Sequence, residues 1–132
     1  MTYLLDTHTL IWAVTDTQNL SGTVREILEN TDNEILVSAV SFWEISLKYS
    51  LQKLTLDGLT PEDFHQAAFD TGFQLFDLTG ETTSSYHQLK ATHHRDPFDR
   101  MLIWLAISHN FSLISKDPQV MKYSSEGLTV VW

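Results

Sequence analysis

No cysteine occurs among the 132 residues, which removes disulfides, thiolate-held zinc and cysteine nucleophiles together and leaves a chain compatible with a reducing compartment. Glycine and proline are sparse, at 5 and 3. That leaves no room for a flexible linker, a low-complexity tract or a phosphate-cradling glycine loop, and one tight domain over residues 1–132 is expected. Basic residues are scarce too: 8 Lys and Arg against 17 Asp and Glu give a formal net charge of −9, a balance that repels a polyanion unless a cation intervenes locally. Long apolar runs are missing. The longest, MLIWLAI at 101–107, is too short to cross a bilayer. The opening MTYLLDTHTLIWAV has no basic leader region and is broken by Asp6 and His8, so a cytoplasmic protein without a membrane segment is expected.

What is present is alternation. Strand-length aliphatic runs at 3–5, 34–40, 73–78, 111–115 and 128–132 are separated by segments of helical spacing at 20–31, 40–54, 60–72, 80–94 and 97–110. This order predicts an α/β domain, a three-layer arrangement with a mostly parallel central sheet flanked by helices. Helix starts are marked by Ser21, by Thr60 before Pro61, by Asp96 before Pro97 and by Asp117 before Pro118, and Gly72 reads as a stop. The aromatic residues Trp12, Phe42, Trp43, Phe98 and Trp104 sit among aliphatics and read as core, with Trp12 and the first helix also suited to self-association.

Ligands of open α/β sheets bind beyond the carboxyl ends of the strands, and the acids are judged against that edge. Asp6 follows the first strand and Asp117 the fourth; each alone is explained by helix capping. Glu44 lies inside AVSFWEISLKY, where pairing with Lys48 one turn on is its ordinary explanation. In RDPFDRMLIWLAI, Asp96 is placed as N-cap and Asp99 as the third helical residue, both favourable to the helix dipole. Capping accounts for the spacing but not for the apolar helix that follows, whose amino end must open onto the strand ends. Four segments delivering Asp6, Glu44, Asp96 or Asp99, and Asp117 to one edge is costly without a cation. Oxygen donors without cysteine favour Mg²⁺, with Mn²⁺ possible, and such ions serve phosphodiester hydrolysis by activating water and stabilising the attacking and leaving oxygens. Lys48, Lys53, Arg95 and Arg100 are the candidates to hold a nucleic-acid backbone. His93 and His94, being adjacent, are not expected to face one ligand and read as a surface pair.

Four blocks, LLDTHTLIWAV, VSAVSFWEISLKYSLQKLTL, HHRDPFDRMLIWLAI and LISKDPQV with a final hydrophobic strand ending in Trp132, resemble the PIN-domain ribonucleases of the VapC toxin type from bacterial and archaeal toxin–antitoxin pairs. The resemblance runs over essentially the whole chain. It implies a metal-dependent endoribonuclease whose acidic site falls on Asp6, Glu44, Asp99 and Asp117, with Asp6 and Asp99 as direct metal ligands. It places Asp96 as cap with a supporting role, and Ser38 and Ser115 as hydroxyls at the same edge, where a turn or cap function is an equal explanation. It further implies a small VapB-like antitoxin, a homodimer and an RNA substrate. Two departures stand out: GETTSSYHQL lacks a histidine–alanine pair, and SLQKL carries Leu51 and Gln52 where glycine is usual before the lysine. The competing readings are a catalytically inert binding module of the same fold, and a phosphotransferase with Asp6 as nucleophile, for which His8 stands where a second aspartate belongs.

Overall fold

The computed structural model describes residues 1–132. Along the chain run β1 (Thr2–Leu5), α1 (Thr7–Thr15), α2 (Gly22–Glu29), β2 (Glu34–Ser38), α3 (Ala39–Ser50), α4 (Pro61–Asp70), β3 (Gln74–Phe76), α5 (Gly80–Ser85), α6 (Pro97–His109), β4 (Ser112–Ile114), α7 (Pro118–Met121) and β5 (Thr129–Val131). All strand pairings are parallel, in the order β3-β2-β1-β4-β5. The chain steps outward from β1 through β2 to β3, then crosses to the other side for β4 and β5. The order therefore reverses between β1 and β4, the place where open sheets of this kind bind ligands.

Two cores sandwich the sheet, because successive strand residues face opposite ways. Tyr3, Leu5, Ile35, Val37 and Ile114 join Leu10 of α1, Val24 of α2 and Phe64 of α4 on one face. Leu4, Leu36 and Leu113 join Leu102, Ile103, Leu105 and Ala106 of α6 on the other. From Phe98 to Ile107 no residue of α6 is fully exposed, as the apolar run demands. The three-layer α/β arrangement with a parallel sheet is as expected from the alternation of strand and helix.

Local chemistry sets the element ends. Ser21 Oγ accepts the Val24 N–H at 3.0 Å, Thr60 and Asp63 form a capping box before α4, and Gly72, with φ 98°, stops that helix in the left-handed conformation glycine adopts without a steric penalty. Helix α3 ends at Ser50, short of the expected 54. The Lys53 and Gln52 N–H groups turn back to the Lys48 and Tyr49 carbonyls at 2.9 and 3.0 Å, a Schellman closure that puts Gln52 at φ 57°. Gln52 thus occupies, under strain, a left-handed position that glycine adopts without penalty.

Three expectations are corrected. The helix expected over 80–94 ends at Ser85, followed by a 3₁₀ turn at Tyr86–Gln88 and then irregular chain. Thr83, Ser84 and Ser85 hydroxyls bond back to helix carbonyls, a competition that weakens helices, while the carbonyls of Leu89, Ala91 and His94 go to Arg100 instead. Trp43 is 64% exposed, because α3 turns Val40, Ser41, Glu44 and Ile45 inward; its ring packs edge-on to Phe98, 5.0 Å between centroids. Arg100 is the third, and its physical reason is given with the site.

Candidate metal centre at the strand ends

Asp6 leaves β1 at the sheet's central position. Its N–H donates to the Ile114 carbonyl at 3.1 Å, tying it to the end of β4, and its Oδ1 accepts the Thr9 N–H at 2.8 Å as the cap of α1. Capping uses one carboxylate oxygen. The residue is buried, and burial pushes its pKa up, opposed by the Ser115 hydroxyl and the Thr9 N–H. Thr7 Oγ1 donates to Ser41 Oγ at 3.1 Å, joining the start of α1 to the first turn of α3 beneath the edge.

Glu44 comes from α3, whose start is fixed by buried Ser38: its Oγ accepts the Val40 N–H at 3.1 Å. The expected pairing with Lys48 is made through Oε2, yet Glu44 is only 2% exposed, so it is no solvated helix position. Its second oxygen, Oε1, is buried with no hydrogen-bond partner. A buried carboxylate oxygen left unpaired costs about 1–3 kcal/mol or more. Burial lowers the Lys48 pKa, but the Glu44 carboxylate and the charges of Asp96 and Asp99 outweigh it and raise the net value. One lysine thus serves three acids.

Asp96 and Asp99 separate by role. Asp96 Oδ1 accepts the Phe98 N–H at 2.8 Å as the cap of α6. Asp99 makes no capping bond; it faces the strand ends, where burial, then the charges of Asp96, Glu44 and Asp6, push its pKa up to about 7 against the opposing pull of His94. Asp117 caps α7 through the Gln119 N–H at 2.8 Å, and its own N–H donates to buried Ser115 at 3.2 Å. Its other oxygen meets His94 Nε2 at 2.9 Å, and the same nitrogen lies 3.1 Å from Asp99 Oδ2. The ligand atoms of His94, Asp99 and Asp117 all lie within 4.8 Å of one another. Sequence reasoning set His94 aside as half of a surface pair; its spacing from Asp99 was the available signal.

Arg100 does not join the site. Its guanidinium donates to the Tyr86 hydroxyl at 2.7 Å, the Ala91 carbonyl at 2.6 Å, the Leu89 carbonyl at 3.0 Å and the Tyr123 hydroxyl at 2.8 Å. One helical position after Asp99, it projects away from the acids and braces the chain between α5 and α6, so its fork has no free donor pair for a phosphate. Other lysines flank the acids. A cleft of about 440 Å³ is lined by Asp6, His8, Trp12, Lys116, Asp117 and Pro118, and a hollow of about 220 Å³ beside it holds Glu44, Lys48 and Lys53. Lys116, 5.9 Å above the Trp12 ring, was missed because it lies in a single-lysine turn without a motif.

The donor set has the chemistry a hard divalent ion takes: carboxylates at one edge, one with an orphaned buried oxygen and one, Asp99, whose pKa burial and then the neighbouring acids push up to about 7. Asp6 and Glu44 act on Asp99 through charge, while the ligand atoms close enough to one another to share a single ion are those of His94, Asp99 and Asp117.

A family model described as PIN domain matches residues 3–124. Ribonuclease VapC22 of Mycobacterium tuberculosis is 25% identical over 131 residues, 99% of this chain and 98% of the relative. Among solved structures, VapBC2 of Rickettsia felis bound to a DNA fragment from its promoter is similar at TM-score 0.67 and 19% identity, over 100% of this chain and 99% of that one. DNA-bound VapBC of Salmonella typhimurium is similar at TM-score 0.69 and 19% identity, over 99% and 97%.

Proposed function

The chain belongs to the PIN-domain family, and from that premise we propose that it is a Mg²⁺- or Mn²⁺-dependent endoribonuclease, the toxin of a toxin–antitoxin pair. The observation that carries the metal reading is the Glu44 oxygen buried without a partner on an edge shared with Asp6, Asp99 and Asp117. The RNA reading draws on the likeness to a curated ribonuclease along the full chain.

In this reading Asp6 and Asp99 are the direct ligands, Glu44 offers its free oxygen and Asp117 bounds the site from α7. When bound, the ion lowers the pKa of a water and offsets charge on the phosphate under attack. The protein's own contribution is placement. Ser115 and Thr9 hold Asp6, Lys48 holds Glu44 on a helix capped by Ser38, and the Asp96 cap fixes the first turn from which Asp99 projects. Lys48 and Lys53 on one side and Lys116 on the other supply positive charge where a single strand would enter a surface that is otherwise strongly acidic. The Trp12 ring beside Lys116 offers a face on which a base can stack.

The structural relatives above are VapBC complexes, and a VapB-like antitoxin is the corresponding proposal here. Exposed Trp43, Leu47 and Leu51 at 64%, 38% and 54% give a protein partner apolar area to cover; a homodimer is part of the same proposal. No helix is long and apolar enough to cross a membrane, consistent with a cytoplasmic setting as proposed. The test is cleavage of a mixed RNA pool with Mg²⁺, with Mn²⁺ and with chelator. Wild type should cut only with metal and Asp6→Asn should not cut; cutting in chelator, or by Asp6→Asn at the wild-type rate, would remove the reading.

A further inference from the structure

We infer that His94 is a positioning residue that bridges Asp117, to which its Nε2–H donates, and Asp99, which the same nitrogen contacts, and that it is not itself a ligand of the cation. The assignment follows from its hydrogen-bond partners. Nδ1 lies 3.1 Å from the backbone N–H of Asp96 and accepts from it, so the Nδ1 lone pair is occupied and the ring proton sits on Nε2. That proton is donated to Asp117 Oδ2 at 2.9 Å, and the same nitrogen lies 3.1 Å from Asp99 Oδ2 as a close charge contact. For Nε2 to bind a cation, the ring must either shed its last proton or give up the Asp96 bond. The His94, Asp99 and Asp117 trio has the dimensions of a metal cage, but its tautomer makes His94 a bridge that donates to Asp117 and only contacts Asp99.

The bridge is anchored from behind. The His94 N–H donates to the Tyr123 hydroxyl at 3.1 Å, and Tyr123, fully buried, also receives Arg100 at 2.8 Å. Arg100 in turn grips the Leu89 and Ala91 carbonyls. The irregular segment before α6 is therefore braced at several points, and the ring it carries reaches two carboxylates that arrive from different elements, α6 and α7. Partners of this kind orient metal-holding groups and typically affect metal affinity about 10- to 100-fold. The inference rests on the proposed reading of Asp99 and Asp117 as the cation's neighbours.

Long-range ¹⁵N–¹H spectra of the 132-residue chain read the two His94 nitrogens without reference to activity. In metal-free protein Nδ1 should be bare and Nε2 protonated, and Mg²⁺ should leave that pattern in place. A protonated Nδ1 in metal-free protein, or an Nε2 stripped of its proton on adding Mg²⁺, would overturn the inference. Mg²⁺ isotherms supply the second readout. His94→Ala should bind about 10- to 100-fold more weakly, and His94→Gln, whose amide nitrogen matches Nε2, should recover most of the loss; wild-type affinity in His94→Ala, or no recovery in His94→Gln, would contradict it. If wild type binds no Mg²⁺, the nuclease reading falls, while the metal-free spectrum still decides the bridge.

Discussion

Arg100 Nη1 and the Tyr123 hydroxyl lie 2.8 Å apart, joining the first turn of α6 to the 3₁₀ turn at Lys122–Glu126 and holding between them the segment that delivers His94. A cation one residue from Asp99 in the chain serves the fold. Arg100→Met should therefore cost about 2–4 kcal/mol, since several part-buried acceptors lose their donors at once. Arg100→Lys should recover little, because a single ammonium cannot reproduce the fork. Chemical denaturation with an unchanged m-value checks this.

Substrate charge contacts should behave in the opposite way. Lys53→Ala and Lys116→Ala, both beside the acidic edge, should leave the melting temperature nearly unchanged. Each should reduce the salt dependence of RNA binding by about 0.7 in slope, the contribution of one single-strand phosphate contact. Arg100→Lys should leave that slope as it is. Binding isotherms at several salt concentrations separate the two classes.

Asp99 sets a pH dependence with a definite sign. Its pKa is raised from 3.8 to about 7, so between those values the folded chain binds more protons than the unfolded one, and stability of the metal-free protein falls as pH rises through that window. Asp6, also raised, adds in the same direction. Ion binding requires the anions, so Mg²⁺ affinity should climb with pH toward and through about 7 and release protons as it does so. Melting curves from pH 4 to 8, with and without Mg²⁺, should diverge steadily; parallel curves would count against the crowded site.

Asp99→Asn should consequently separate stability from function. Removing a charge held against burial and three neighbouring acids should stabilise metal-free protein at pH 8 by about 1–3 kcal/mol, and should lower metal-dependent cleavage by two orders of magnitude or more. A destabilised variant would show that the carboxylate was a structural partner only.

Gln52, at φ 57° in the Schellman closure of α3, offers a stabilising change remote from the chemistry. Gln52→Gly should add about 1 kcal/mol by relieving a left-handed conformation, read as a rise in melting temperature with cleavage unaltered.

Much of this was legible in the chain. The strands announced themselves as short aliphatic runs, and the positions of Asp6, Asp96, Asp99 and Asp117 just past a strand or at a helix start pointed to the carboxyl edge, because caps and strand ends are local features; Glu44, in the middle of α3, carries no such local mark. Arg100 was read from its charge beside Asp99 and His94 from its adjacency to His93, whereas both are committed to the irregular segment 89–96, which Arg100 and Tyr123, more than twenty residues downstream, hold in place. Trp43 was misassigned to the core because AVSFWEISLKY is apolar nearly all round, and only tertiary packing decides which stripe turns inward. The tension at Gln52 was visible as a missing glycine, but its cause was a left-handed φ that composition does not report.

The central claim, that the edge formed by Asp6, Glu44, Asp99 and Asp117 is a divalent-cation site, is tested most directly by calorimetric titration of metal-free protein with Mg²⁺ at pH 8, in wild type, Asp6→Asn and Asp99→Asn. Saturable binding in wild type, with affinity falling as pH drops below about 7 and lost in both variants, is the predicted result. Absence of binding in wild type, or undiminished binding in Asp6→Asn and Asp99→Asn, would contradict it.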